Sequence, residues 1–100
     1  MELSNAQLAV ANIVLLKFPV KQAVVTPTFM DEHLLIGYQD QFDPGMFLEI
    51  QNLLESRDRA IRTFLLKAKY LETVDHTVPR NILTKKGEKA QGLRGHSQYL

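Results

Sequence analysis

One hundred residues are enough for a single domain with a modest core and too few for two domains. The absence of cysteine excludes disulfides, thiolate zinc sites and thiol nucleophiles, and fits a reducing compartment. The chain is 45% hydrophobic and 23% charged with a net charge of +1, which argues against wholesale disorder.

The first predicted element is a helix over about Asn5–Lys17. Ser4 and Gln7 have the spacing of a capping box, and Pro19 ends the helical pattern. Apolar residues occupy most of the helix circumference, so we expect it to be heavily buried. Its β-branched residues leave a strand as the competing interpretation.

The same N-terminal region argues against export and membrane insertion. Glu2 stands where a signal peptide needs positive charge, and the apolar run Leu8–Leu16 is far shorter than the roughly 20 residues of a membrane span. We therefore expect a cytoplasmic protein, or one inside an assembled particle, that is neither secreted nor bound to a membrane.

Two strands are predicted next, over Val20–Thr26 and His33–Gln39. Both are rich in β-branched or aliphatic residues and are bounded by Pro, Asp or Gly. Asp31-Glu32 is the expected turn between them. A two-stranded hairpin is marginal in water, so it must pack on the helices or be completed by another chain.

The strongest local pattern predicts one long amphipathic helix over Asp43–Thr73. Asp43 is a good N-cap, and Pro44 suits the first helical position. No Gly or Pro forces a break, although a break near Ser56–Arg59 would give a helical hairpin instead. With Ala68 between Phe64 and Leu71, side chains separated alternately by three and four residues form a heptad pattern that is apolar except at Arg57. We call its seven large members the helix seam: Phe47, Ile50, Leu54, Arg57, Ile61, Phe64 and Leu71.

The helix seam has two interpretations. It either packs internally against the first helix and the hairpin, or it binds a partner helix or a second copy of the chain. Arg57 would then need a carboxylate or access to water, because an unpaired buried charge is costly.

Residues 1–76 are predicted to form a single small α+β domain. Residues 77–100 are predicted to form a basic, extended, Gly/Lys-rich tail. It holds five basic residues and one acid. Such a tail either docks on a protein or makes a few weak contacts to nucleic-acid phosphates. The candidate contact residues are Arg80, Lys85, Lys86, Lys89, Arg94 and Tyr99.

Charge is also uneven in the middle of the chain. Residues 31–56 contain six acids and no Lys or Arg, whereas residues 57–69 contain five basic residues. This pattern is typical of an oriented partner surface or of pairing within the molecule.

The sequence gives little support for an enzymatic function. Asp75-His76 are adjacent in sequence, but adjacency does not orient a general base toward a nucleophile. The three histidines lack metal-ligand spacing, and the glycines form no phosphate-binding loop. We predict no catalytic residue, metal, cofactor or small-molecule substrate.

The sequence thus predicts a helix-dominated α+β protein with an N-terminal helix, a β-hairpin, a long C-terminal helix and a basic tail. Its predicted role is non-enzymatic: protein–protein interaction or assembly within a larger complex, for example a virus or phage particle, through the helix seam and the tail. One alternative is a small nucleic-acid-associated regulator that uses Arg57–Lys69 and the tail. Another is an inhibitor that binds a protein through the acidic residues 31–56.

Overall fold

The computed structural model of the chain describes residues 2–19, 30–74, 77 and 80–98, with side chains as far as residue 92. Within these residues, helices predominate and one antiparallel pair of strands is present, which confirms the predicted helix-dominated α+β class. The pair that the structure describes lies within residues 71–83, whereas the hairpin was predicted within residues 20–39. In chain order the elements are α1 (Asn5–Lys17), a first 3-10 helix (Glu32–Leu35), a second 3-10 helix (Gln39–Gln41), α2 (Pro44–Glu55), α3 (Arg59–Lys67), β1 (Leu71–Val74), β2 (Arg80–Leu83) and α4 (Lys85–Gln98).

Helix α1 is the central element of the fold. It begins at the predicted capping box, in which the Gln7 backbone N–H donates to Ser4 Oγ at 3.1 Å and the Ser4 backbone N–H donates to Gln7 Oε1 at 2.8 Å. Helices α2, α3 and α4 and the first 3-10 helix all pack on α1. Because neighbours cover it on several sides, the expected heavy burial is confirmed for Ala6, Val10, Ala11, Ile13, Val14 and Leu15.

The prediction of one continuous helix over Asp43–Thr73 is wrong, because α2 and α3 are separate helices and β1 occupies the end of this range. The start of α2 is as predicted: Pro44 occupies the first turn, and the Asp43 carboxylate accepts from the Met46 backbone N–H at 2.8 Å. The break falls at residues 56–58, where the alternative of two helices had placed it.

The break needs no Gly or Pro because two hydrogen-bonded caps meet there. The Arg57 N–H donates to the Leu54 carbonyl and the Asp58 N–H donates to the Leu53 carbonyl, both at 3.1 Å, which is a Schellman motif. Arg57 has the left-handed conformation that this motif requires, with φ of 52°. The Asp58 carboxylate then caps α3 by accepting from the Ile61 N–H at 3.2 Å.

Helix α3 ends in the same way. Lys69 has φ of 67° and its N–H donates to the Leu66 carbonyl at 3.1 Å, while the Tyr70 N–H donates to the Leu65 carbonyl at 3.0 Å. The chain is thereby redirected into β1. Strands β1 and β2 pair in antiparallel register from Leu71 with Leu83 to Val74 with Arg80.

The prediction that residues 77–100 form an extended tail is wrong for α4, which is a helix over Lys85–Gln98, and β2 is a paired strand and not a free tail. Strand β1 supplies the pairing partner that an extended tail lacks. Helix α4 then returns to the core, where the Gln91 side-chain amide donates to the Leu15 and Phe18 carbonyl oxygens at 2.9 and 2.6 Å. These contacts are separated by more than 70 positions along the chain, so no local pattern reveals them.

The strand predicted over His33–Gln39 is also wrong, because a 3-10 helix occupies Glu32–Leu35. Asp31 is the N-cap of this helix and not part of a hairpin turn, since its carboxylate accepts from the His33 backbone N–H at 3.1 Å. The neighbours Leu34 and Leu35 are both buried, which a strand with one buried face would not allow. The other predicted strand, Val20–Thr26, lies outside the described residues.

Candidate interaction surface

Four residues of the helix seam belong to the hydrophobic core. Ile50, Leu54 and Ile61 have 0% exposure and Leu71 has 3%. They are covered from within the chain, because α2 and α3 pack on α1 and α3 also packs on β1. Full burial of side chains of this size stabilises the fold by about 1.5–3 kcal/mol each. As arranged here, these four side chains stabilise the fold and do not face a partner.

The other three seam residues reach the surface to different extents. Arg57 is exposed at the turn between α2 and α3, so its charge is solvated. Phe47 is half-buried and packs against the core. Phe64 is 36% exposed, although it carries a large apolar side chain. Phe64 is therefore the seam residue best placed for an external apolar contact.

Phe64 lies in an apolar groove between α1 and α3. Three cavities of about 330, 240 and 540 Å³ share it as a lining residue. Leu8 of α1, which is 41% exposed, lines two of the three. We call this surface the α1–α3 groove and define it by Leu3, Leu8, Ala60, Phe64, Lys67 and Tyr70.

The chemistry of the α1–α3 groove is that of apolar contact with charge at its edges. Lys67 is exposed on the α3 side, and Glu2 lines the largest of the three cavities. The wall between them is mainly aliphatic and aromatic, and Asn5, Asn12 and Thr63 also line it. Such a surface can bind an apolar side chain and orient it by charge.

Other large apolar side chains are exposed singly. Ile36 follows the first 3-10 helix with 70% exposure, and Leu48 on α2 has 58%. Single exposed aliphatic side chains are common on protein surfaces. Leu48 therefore provides a matched control for Leu8 and Phe64.

The structure places most of the predicted tail residues on β2 and α4. Lys85, Lys86 and Lys89 are exposed in the first turns of α4, and Arg80 is exposed on β2. The Lys86 ammonium donates to the Ala68 carbonyl oxygen at 2.7 Å, which brings the α4 lysines to the end of α3. Arg94 lies in α4 with its side chain outside the described part, and Tyr99 lies outside the described residues altogether.

The acidic residues of the stretch 31–56 are exposed, and two of them act as caps. Asp43 caps α2, and Asp31 caps the first 3-10 helix. The pKa of the Asp31 carboxyl lies below its ordinary value, first because the His33 backbone N–H donates to it and then because of its contact with the His33 imidazole. Nδ1 of that ring lies 2.9 Å from the carboxylate. This contact is local, so it does not by itself indicate a binding surface.

The described residues contain no group of three or more His, Cys, Asp or Glu side chains that could hold a metal ion. The pair Asp75-His76 lies outside the described residues. In residues 2–19, 30–74 and 80–98, no helix has both the length and the apolar character needed to cross a bilayer.

Sequence reasoning missed the α1 side of the groove. Leu8 was expected to be buried with the other apolar residues of α1. A usable signal was present, because Asn5 and Asn12 lie three positions before and four positions after Leu8. Residues with this spacing share one helix face, so the two polar side chains mark that face as solvent-exposed.

Comparison of the chain with protein-family models, with curated proteins and with solved structures found no match.

Proposed function

We propose that the protein is a non-enzymatic interaction subunit that binds a partner protein through the α1–α3 groove. The observation that carries this proposal is the pair of large apolar side chains, Leu8 and Phe64, which are exposed on two different helices and line the same two cavities. Exposed apolar side chains at the centre of a concave surface are typical of interface hot spots.

The chemistry of the groove indicates the kind of partner. Its apolar wall fits an apolar side chain, and burial there favours binding by about 25 cal/mol for each Å² of apolar surface removed from water. Lys67 at the edge favours a carboxylate next to that side chain. Edge charges of this kind contribute more to orientation and association rate than to affinity. The proposed occupant is thus a partner segment with an apolar anchor beside an acidic residue.

The structure shifts the proposed contact from the tail to the groove. Lys86 and Gln91, which the sequence placed in an extended tail, make hydrogen bonds within the chain. Their positions are then fixed by the fold, and the exposed apolar groove becomes the better candidate for docking. Membership of a larger complex such as a virus or phage particle stays a prediction from the sequence.

The test compares capture of partners by matched variants. The tagged protein should capture a partner from an extract of the native source. The Leu8→Glu variant should capture at least about tenfold less of that partner, and Phe64→Ala should also capture less of it. Leu48→Glu adds the same charge to an exposed leucine on α2 and should retain the partner. Circular dichroism checks that each variant is folded.

Light scattering of the purified protein identifies a partner that is a second copy of the chain. A dimer that Leu8→Glu converts to a monomer would assign the groove to self-association. Equal capture by the Leu8→Glu, Phe64→Ala and Leu48→Glu variants, with no change in mass, would overturn the proposed function.

A further inference from the structure

The first turn of α4 is fixed to the last turn of α3 by several hydrogen bonds. The Lys86 ammonium donates to the Ala68 carbonyl oxygen at 2.7 Å. The Thr84 hydroxyl donates to the Lys69 carbonyl oxygen and accepts from the Gly87 backbone N–H at 3.0 Å. These bonds hold the lysine-rich start of α4 against the end of α3, which is also basic.

The result is a cluster of lysines that lie close together only in the folded chain. Two of them flank Ala68, and the other three lie in the first turns of α4. All five are exposed. We call them the junction lysines: Lys67, Lys69, Lys85, Lys86 and Lys89.

Most of this positive charge has no counterion within the described part of the chain. The ammonium groups of four of these lysines, Lys67, Lys69, Lys85 and Lys89, form no hydrogen bond or ion pair with described residues. The acids nearest to these lysines in the sequence are Glu72 on β1 and Glu88 on α4, so the five lysines outnumber them. The amino-terminal end of α4 adds further partial positive charge.

We propose that the junction lysines bind the phosphate backbone of duplex nucleic acid. A duplex presents one negative charge for about every 1.7 Å of its axis, so several neighbouring ammonium groups can pair with it together. This proposal does not depend on the proposed docking of a protein in the α1–α3 groove.

The junction lysines contact the phosphate backbone and not the bases. Tyr70, the aromatic residue at the junction, is half-buried, and the Lys86 ammonium lies 4.6 Å from its ring centroid. The ammonium over that ring competes with stacking on an unpaired base, which is the main contact in single-strand recognition. Lysine ammonium groups contact phosphates of any sequence. Affinity should therefore be weak, independent of sequence and strongly dependent on salt.

Fluorescence anisotropy with a labelled mixed-sequence duplex of about 20 base pairs measures this binding. With four uncommitted lysines, the logarithm of the binding constant should fall against the logarithm of salt concentration with a slope of about −3 to −4. The double variant Lys85→Gln/Lys89→Gln removes two of these contacts and should make the slope about 2 less steep. It leaves Lys67, which also lines the groove, unchanged.

The control removes the same charge elsewhere. Lys17→Gln/Arg57→Gln changes residues at the end of α1 and at the α2–α3 turn, so its salt slope should equal that of the unmodified protein. Absence of duplex binding at about 50 mM salt would overturn the proposal, and so would equal weakening in both double variants. Complete displacement of the duplex by polyglutamate at equal charge concentration would instead assign the cluster to an acidic protein surface.

Discussion

At the scale of single residues, the two helix ends at Arg57 and Lys69 are unusual because both have positive φ. This conformation costs a residue with a Cβ atom about 1–2 kcal/mol, and glycine is the usual choice. The Schellman hydrogen bonds offset part of this cost, and a cation at a helix C-terminus interacts favourably with the helix dipole. The chain therefore turns twice without glycine.

Arg57→Gly should raise the free energy of unfolding by about 0.5–1 kcal/mol, because glycine adopts the left-handed conformation without a steric penalty but loses more entropy on folding. Arg57→Ala is the control: alanine keeps the Cβ atom and should give no such gain. Urea denaturation followed by circular dichroism measures both variants. If alanine stabilises as much as glycine, the gain does not come from backbone conformation.

At the scale of secondary-structure elements, the packing of α4 on the hairpin depends on the absence of a side chain at Gly87. A Cβ atom there would lie 2.1 Å from the Tyr70 carbonyl oxygen, which belongs to the backbone and cannot move aside easily. Gly92 lies on the same helix, and nothing lies within 4 Å of the Cβ atom it would carry. The two glycines therefore have different roles.

Gly87→Ala should lower the free energy of unfolding by about 1–3 kcal/mol, because α4 must move away from the end of α3. Gly92→Ala should raise it by about 0.5–1 kcal/mol, because alanine favours an open helical position. Thermal or urea unfolding of both variants gives the comparison. The same sign for both substitutions would contradict the packing of α4 described here.

Elements determined by neighbouring residues were predictable from the sequence. The capping box at Ser4 and the cap at Asp43 are formed within three residues, and both were predicted correctly. The break after α2 was predicted only as an alternative, because Asp58 was not recognised in the sequence as the N-cap of α3. Strand β1 was assigned to the helix because Leu71 continues the heptad spacing.

The candidate surface was predictable only in part. Phe64 was among the predicted interaction residues, but the same spacing also selected Ile50, Leu54 and Ile61, which are buried. Periodicity shows that one face of a helix is apolar, but it does not show whether the same chain or a partner packs on that face. Leu8 was missed because its exposure depends on where α2, α3 and α4 pack around α1, which is a tertiary property.

At the scale of the whole molecule, the other helices pack around α1. Helix α2 and the first 3-10 helix contact α1 and also contact each other, and α3 and α4 contact α1 as well. All acids of residues 31–56 except Asp40 lie on the first 3-10 helix or α2 or cap them, and the junction lysines lie where α3 ends and α4 begins. The α1–α3 groove contains one of these lysines, Lys67. The exposed apolar surface therefore has positive charge at its α3 edge, and an acidic residue of the partner is favoured there.

The central claim is that the α1–α3 groove is covered by a partner protein, and site-specific photo-crosslinking tests it most directly. A photoreactive amino acid at Thr63, an exposed residue lining the groove, should form a crosslink to one protein in an extract of the native source. The same amino acid at Leu48 should form none above background. A crosslink at Leu48 and none at Thr63 would contradict the claim.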